Sequence, residues 1–234
     1  MTPTTKFKAA LCGLALLAAA ALPTAAPANA APATTAPATE AAQPAMSAEV
    51  AAAIKPVPKL GYSTQTVRTL NIAFQYQQTG YWCGPAATRI ALSARISPPS
   101  QQQLANELPT TTNGTDWIGQ VTRVLNNHLG TGWYETKEMP NDPPTQAQRD
   151  LLWRDVVLDI NNNYPIVANI VAPASNHPPG YPNYTIYHYF TVIGYDDSDQ
   201  TVLIADPAGF APTATYWLTF NQLATLIPPK GYSA

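Results

Sequence analysis

The stretch Cys-Gly-Pro-Ala-Ala-Thr-Arg-Ile-Ala-Leu-Ser-Ala at residues 83–94 predicts a helix that begins at Cys83. Pro85 fits the first helical turn, where its missing N–H removes no hydrogen bond. The many alanines predict close packing of this helix against a sheet. A thiolate in a first turn faces unpaired N–H groups and the positive end of the helix dipole, which lower its pKa. Cys83 is therefore a candidate nucleophile, although free cysteines are more often inert core residues.

Further helices are predicted after this one by capping patterns and apolar stripes. They cover residues 100–108 with Ser100 as the cap, 115–128, 145–161 with Thr145 and Gln148 as a capping box, and a short last helix capped by Thr219. The apolar period then changes to that of strands at residues 166–171, 187–195, 200–206 and 215–218. Helices followed by an antiparallel sheet are typical of the α+β class.

The strands 187–195 and 200–206 predict a hairpin about the Asp196-Asp197-Ser198 turn. If the turn has three residues and is centred on Asp197, His188 and Asp206 are direct cross-strand neighbours. A carboxylate in that position can orient an imidazole. A four-residue turn shifts the register by one and sends Asp206 to the other face. In the first register, Phe190, Val192, Val202 and Ile204 form an apolar row predicted to pack on the helix after Cys83.

Cys83, His188 and Asp206 together predict nucleophilic acyl transfer, since they supply a nucleophile, a base and an orienting acid. Each of the three residues taken singly fits an ordinary structural role better. An oxyanion donor is also required, and side-chain amides can serve. Gln77 and Gln78 lie just upstream of Cys83, where a loop could carry either to the site, or leave both in solvent.

The sequence resembles the papain-like cysteine peptidases, in the branch of bacteriocin leader-processing (double-glycine) peptidases. The resemblance rests on Gln77 and three blocks, which are Tyr81 to Ala87, His188 to Asp196, and Ala205 to Ala208. It implies a papain-like fold with the nucleophile Cys83 at the start of a central helix, packed on a C-terminal antiparallel sheet. It also implies His188 as base, Asp206 as orienting acid and Gln77 as oxyanion donor, with Gln78 as the alternative.

The N-terminal part predicts export. Lys6 and Lys8 precede an apolar run of about 14 residues, too short to span a bilayer, and Ala28-Asn29-Ala30 fits a cleavage site. Residues 1–30 are thus predicted to be a signal peptide, 31–59 an Ala/Pro/Thr-rich disordered linker, and 60–234 the peptidase-like domain. The mature protein is expected to be secreted, without a membrane span. Since Cys12 leaves with the signal peptide, Cys83 is expected to remain without a disulfide partner.

Composition and spacing weigh against several other functions. The formal net charge is −2 and no basic run suggests a nucleic-acid or anionic-membrane surface. His128 and His177 have no partners at metal-ligand spacing, and no cofactor fingerprint is present, so neither a metal nor a cofactor is expected. The predicted partner is a peptide or protein substrate. Leader-processing peptidases are usually cytosolic transporter domains, so their substrate does not carry over to an exported chain.

Two alternatives to a secreted cysteine peptidase remain open. An amidase or transpeptidase could use the same three residues with a different acceptor, on cell-wall or small peptides. A non-catalytic secreted binding protein could retain the fold and be tethered through the linker, although intact Cys83, His188 and Asp206 argue against it. The sequence predicts no oligomeric state.

Overall fold

The computed structural model describes residues 67–234. The predicted signal peptide and linker lie outside the described residues, and the predicted domain is described from Val67 onward. Among the described helices, none combines the length and the apolar character needed to cross a membrane.

Five helices are present in this part of the chain. They are α1 Cys83–Ser93, α2 Gln101–Glu107, α3 Ile118–Leu129, α4 Gln146–Asn161 and α5 Phe220–Leu226. The predicted caps are confirmed, because the side chains of Ser100, Thr145 and Thr219 each accept a hydrogen bond from a first-turn N–H. The third helix begins later than predicted, because Trp117 has an extended backbone with φ −136° and ψ 140°. Thr115 consequently lies in the preceding loop.

Seven strands form one antiparallel sheet. They are β1 Val67–Thr69, β2 Thr136–Glu138, β3 Ile166–Ala172, β4 Ile186–Asp196, β5 Thr201–Ala205, β6 Thr215–Thr219 and β7 Gly231–Ser233. The order is β2-β7-β3-β4-β5-β6, and β1 pairs with the far end of β4. The short strands β1, β2 and β7 were not predicted, since three residues are too few to show an alternating pattern.

The sheet carries helices on both faces. One buried cluster joins α1, α2 and α3 to the sheet through Val167 and Tyr189. The other joins α4 and α5 to the opposite face, and includes Trp153, Phe190 and Val192. The predicted packing of Phe190, Val192, Val202 and Ile204 on α1 is therefore wrong. The other face of β4 contacts α1, where Thr191 Oγ1 donates a 2.9 Å hydrogen bond to the carbonyl oxygen of Ala87.

The β4–β5 hairpin forms as predicted, but its register differs. Next to the turn Asp196 pairs with Thr201, so the turn has four residues, and the predicted three-residue turn is wrong. Nearer the site Thr191 pairs with Ala205, and the register shifts between Val192 and Gly194. The prediction that His188 and Asp206 are directly opposed is therefore wrong.

A β-bulge returns Asp206 to the face of the hairpin that carries His188, whereas the four-residue turn alone would have placed it on the other face. Ile193 is the extra residue, and one inserted residue shifts the pairing by one. Continuing the pairing beyond Thr191 and Ala205 places Asp206 opposite Phe190, two residues from His188 on the same face of the hairpin. The two side chains are thus diagonal neighbours, which is close enough for long side chains to meet.

Candidate active site

Cys83 is the first residue of α1, as the sequence predicts, and it is buried and unpaired within residues 67–234. The loop that precedes α3 lies directly against this helix start. A Cβ on Gly84 would lie 2.2 Å from Thr115 Oγ1, so only glycine allows the loop to approach so closely. Gly84 therefore sets the width of the space beside the thiol.

His188 lies on β4 and is buried, with its ring between the Cys83 thiol and the Asp206 carboxylate. Its Nε2 is 2.8 Å from Asp206 Oδ1, which leaves Nδ1 to interact with Cys83. Burial alone would lower the pKa of His188. The charge and hydrogen bond of Asp206, assisted by Cys83, outweigh burial and raise this pKa above its usual range. The imidazole is therefore held in its protonated form.

The pKa of the Cys83 thiol is lowered by the same arrangement. Burial would raise it, but the hydrogen bond and charge of His188 outweigh burial. The backbone N–H groups of Tyr189 and Gly84 lower this pKa further. Because Tyr189 follows His188 directly, the strand that carries the imidazole also touches the sulfur. The arrangement favours a thiolate–imidazolium pair, the reactive form of a cysteine nucleophile.

Asp206 is 2% exposed, yet its carboxylate accepts four hydrogen bonds. Oδ1 accepts from His188 Nε2 and from the Ala208 N–H at 2.9 Å. Oδ2 accepts from the hydroxyls of Tyr181 at 2.7 Å and Tyr216 at 2.6 Å. Burial would raise the pKa of Asp206, but His188 and these donors lower it to about 2.

Tyr181 and Tyr216 hold the Asp206 carboxylate, a role that the sequence did not predict for either residue. The hydroxyls stay protonated, because burial and the Asp206 charge raise both pKa values. The position of Tyr216 follows from strand pairing, since it lies opposite Ile204, two residues before Asp206. Tyr181 comes from the loop before β4, where no strand register can locate it. Its ring packs edge-on against His188, with a centroid distance of 6.0 Å.

Cys83 and His188 open into a pocket of about 170 Å³. The loop before α3, strands β3 and β4, and the segment before β7 supply the other lining residues, which are Asn113, Gly114, Thr115, Asp116, Asn169, Tyr187, Tyr189 and Lys230. A second pocket of about 230 Å³ shares Asp116, Asn169 and Lys230 with the first and continues to Trp117 and Glu138. The two form a groove that leads away from the thiol.

Gln77 is attached to the segment that follows Asp206, since its N–H donates a 2.9 Å hydrogen bond to Pro207. Its side-chain Nε2 donates to Thr79 O at 3.0 Å, while Oε1 is buried without a partner. Gln77 does not line the pocket beside Cys83. Gln78 is exposed, and its N–H donates to the buried Gln101 side chain at 3.0 Å. The role of either amide as an oxyanion donor stays a prediction.

The remaining histidines lie in other surroundings. His128 Nε2 is 2.6 Å from Glu107 Oε2, and His177 Nε2 is 3.2 Å from Tyr184 O. Within residues 67–234 no cluster of three or more His, Cys, Asp or Glu side chains is arranged to hold a metal ion.

A thiol at the start of a helix that packs on an antiparallel sheet, with an imidazole and a carboxylate beside it, defines the papain-like cysteine peptidases. The model of the Peptidase_C39-like family matches residues 69–225, about two thirds of the chain. The chain belongs to this family. The predicted α+β papain-like fold and the predicted enzyme class, a cysteine-type peptidase, are thereby confirmed.

Solved structures similar to this chain include three described as peptidases or proteases. A putative C39-like peptidase from Bacillus anthracis has 14% identity and a TM-score of 0.47, over 72% of this chain and 97% of that one. The peptidase domain of Streptococcus ComA has 17% identity and a TM-score of 0.45, over 70% and 98%. Xylellain from Xylella fastidiosa has 14% identity and a TM-score of 0.46, over 73% and 86%. The comparison with curated proteins gives no match.

Proposed function

We propose that this protein is a secreted cysteine peptidase in which Cys83, His188 and Asp206 act as a catalytic triad. The observation that carries the proposal is the chain of three neighbouring groups, the Cys83 thiol, the His188 imidazole and the buried carboxylate hydrogen-bonded to it, at the head of a groove. Such a chain in one pocket meets the geometric requirement for nucleophilic acyl transfer.

The reaction proceeds in two halves. The Cys83 thiolate attacks the peptide carbonyl carbon, and the carbonyl oxygen becomes an oxyanion. The His188 imidazolium gives its proton to the leaving nitrogen as the C–N bond breaks, which releases an amine and leaves a thioester on Cys83. Water then attacks the thioester and gives a proton to His188, and the thiolate leaves as the carboxylic acid product forms.

Asp206 acts in this scheme by orienting His188 and stabilising its positive charge, without taking up its proton. The four hydrogen bonds on its carboxylate support this role, because they fix the direction of Oδ1 and keep the group ionised. We assign Gln77 as the oxyanion donor, with Gln78 as the alternative. The hydrogen bond from the Gln77 N–H to Pro207 supports the first choice, since it holds this loop beside the Asp206 segment.

Alkylation of the purified exported protein by iodoacetamide at pH 6 tests the triad. Cys83 is expected to react faster than a free thiol, because its thiolate persists at this pH. Cys83→Ala should abolish labelling and His188→Ala should slow it to the rate of a free thiol. If the unmodified protein reacts no faster than a free thiol, the binding-protein alternative is favoured. Incubation with a peptide library, followed by mass spectrometry, then reports hydrolysis, and added amines reveal any transfer to an acceptor other than water.

We also propose that residues 1–30 direct export and are removed. The lysines, the short apolar run and the Ala28-Asn29-Ala30 site support this proposal. Expression of the full chain in a secreting host should give a protein in the medium whose N-terminal residue is Ala31. Retention of Met1 on a protein that stays inside the cell would contradict it.

A further inference from the structure

Lys230 lies in the groove beside the thiol. It lines both pockets of the groove, the first of which contains Cys83 and His188. In residues 67–234, no carboxylate oxygen lies within 4.0 Å of its ammonium group. The side chain is half-buried, with Nζ 5.8 Å from the centre of the Tyr187 ring. A partly desolvated cation facing a groove is best stabilised by an anion from the ligand.

The backbone fixes the position from which this side chain extends. The Lys230 N–H donates to Ile227 O, and the Lys230 carbonyl accepts from the Met139 N–H, both at 2.8 Å. Lys230 directly precedes β7, which is paired on both sides by β2 and β3. The ammonium group is therefore presented to the groove from a fixed Cα and not from a loose loop.

Asn169 supplies a second polar group at the same place. It lies on β3, is 5% exposed, and lines both pockets together with Lys230. Its Nδ2 donates one hydrogen bond to Tyr189 OH at 2.9 Å. Within residues 67–234, the other N–H of this amide has no acceptor. An ammonium group and an amide that line one groove can together bind the oxygens of a carboxylate.

Asp116 also lines the groove, and its charge restricts where such a carboxylate can lie. Asp116 is exposed, so water screens it more than it screens half-buried Lys230. Glu138 lines the second pocket but not the first, so an anion bound by Lys230 and Asn169 is repelled least in the first pocket, beside Cys83.

We propose that Lys230 and Asn169 form a subsite for a substrate carboxylate, close to the carbonyl that Cys83 attacks. The inference rests on the proposed peptidase function and narrows the substrate to a peptide with an anionic group near the scissile bond. The carboxylate can be a terminal one, as at the end of a short peptide, or the side chain of an acidic residue.

Chloroacetyl probes test this subsite before any natural substrate is known. Cys83 displaces chloride from the probe, forming an S–C bond, and the rate depends on how the rest of the probe is bound. N-chloroacetylglycine and its amide compare a terminal carboxylate with a neutral group. The α-amides of N-chloroacetylglutamate and N-chloroacetylglutamine compare an acidic side chain with its neutral counterpart.

For at least one pair, the ratio of the anionic probe's rate to the neutral probe's rate should be about tenfold higher with this protein than with a free thiol. Lys230→Met, which keeps the aliphatic stem, should remove this preference, whereas Lys137→Met on another surface should keep it. The pair that shows the effect identifies the source of the carboxylate. Absence of a preference in both pairs, or its persistence in Lys230→Met, would overturn the subsite.

Iodoacetamide separates failure of the subsite from failure of the peptidase proposal. This probe is small and neutral, so its rate with Lys230→Met measures any change in the reactivity of the thiol itself, against which the rates of the anionic and neutral probes are compared, and thermal unfolding should confirm that the variant is folded. If iodoacetamide also reacts slowly with the unmodified protein, the Cys83 thiol is not activated and the peptidase proposal is wrong. If iodoacetamide reacts quickly and the anionic preference is missing, only the subsite is wrong.

Discussion

Two buried aspartates of this protein have pKa values shifted in opposite directions. Asp206 is 2% exposed and Asp159, on α4, is 3% exposed. Asp206 accepts four hydrogen bonds and its pKa falls to about 2. Asp159 accepts one, from Trp133 Nε1 at 2.8 Å, while its Oδ2 is buried without a partner. Burial, with the nearby charge of Asp155, raises the pKa of Asp159 to about 7.

The comparison indicates that the neighbouring charge and the hydrogen-bond donors, and not burial, decide whether a buried carboxyl is charged. The contributions of Asp206 and Asp159 to the free energy of unfolding should therefore depend on pH with opposite signs. Asp206 adds stability above its unfolded pKa of about 3.9, and this contribution is lost as the pH falls through about 2. Asp159 binds its proton more tightly when folded, so it removes stability as the pH rises from about 4 to about 7.

The largest effect is expected from Asp206→Asn. Without the negative charge the imidazolium is less stable, so the Cys83 thiolate loses its counter-ion. Labelling by iodoacetamide at pH 6 should slow by about 100-fold, as expected for loss of a charged orienting group. Asp159→Asn is the matched control, because it makes the same change at the other buried carboxyl and should leave the labelling rate unchanged. Equal rates in the two variants would show that Asp206 is dispensable.

The hydroxyls of Tyr181 and Tyr216 should account for part of that effect. Tyr181→Phe and Tyr216→Phe each remove one donor from Oδ2, which raises the pKa of Asp206 and weakens its hold on the proton of His188. Each change should slow labelling by about threefold to tenfold, or about 0.7–1.4 kcal/mol, because only part of the about 1.5–3 kcal/mol of a hydrogen bond to a charged group is passed on to the thiolate.

A shift in pH profile would distinguish this role from a general loss of packing. The pH at which labelling falls to half its maximum should move upward, because the thiolate persists less well in acid. Tyr184→Phe, in the same loop but 60% exposed, should leave the profile in place. A slower rate with an unshifted midpoint would mean that the two hydroxyls only support the fold.

The sequence allowed the residues of the candidate site to be predicted, but not the contacts that join them. The start of α1 at Cys83 and the helix caps depend on neighbouring residues, and the structure reproduces them. The hairpin register depends on the turn length and on the bulge at Ile193, and neither was predicted correctly. The two shifts have opposite effects on the face, so Asp206 still lies on the predicted face of the hairpin. The donor Tyr181 belongs to a loop that only tertiary packing brings to the carboxylate, so no local pattern indicates it.

The same limit applies to Asp159. Its position on α4 relative to Leu152, Val156 and Ile160 marks it only as one polar residue of a helix. It is covered by Trp133, which lies in the segment before β2 and stacks on Tyr164 with centroids 4.5 Å apart. That covering contact joins segments distant in sequence, and so the altered pKa could not be predicted.

Asp159→Asn should stabilise the protein in a pH-dependent way. At pH 8 the ionised carboxylate is held in a site that favours its neutral form, and the substitution removes that cost. The free energy of unfolding should rise by about 2 kcal/mol at pH 8, and by much less at pH 5, where Asp159 is already protonated. Urea unfolding at both pH values measures the difference. An equal change at both would indicate that the titration of Asp159 does not affect stability.

The smallest effect is expected from Trp133→Phe, which keeps an aromatic ring beside Tyr164 and removes the one donor to Asp159. The charged form of Asp159 then loses its remaining hydrogen bond, so its pKa should rise further. The loss of stability between pH 5 and pH 8 should therefore grow by about 1 kcal/mol. In the Asp159→Asn background this extra pH dependence should vanish, because no titrating group remains for the indole to act on. If it persisted there, the indole would act on stability through packing alone, and the contrast with Asp206 would not rest on hydrogen-bond donors.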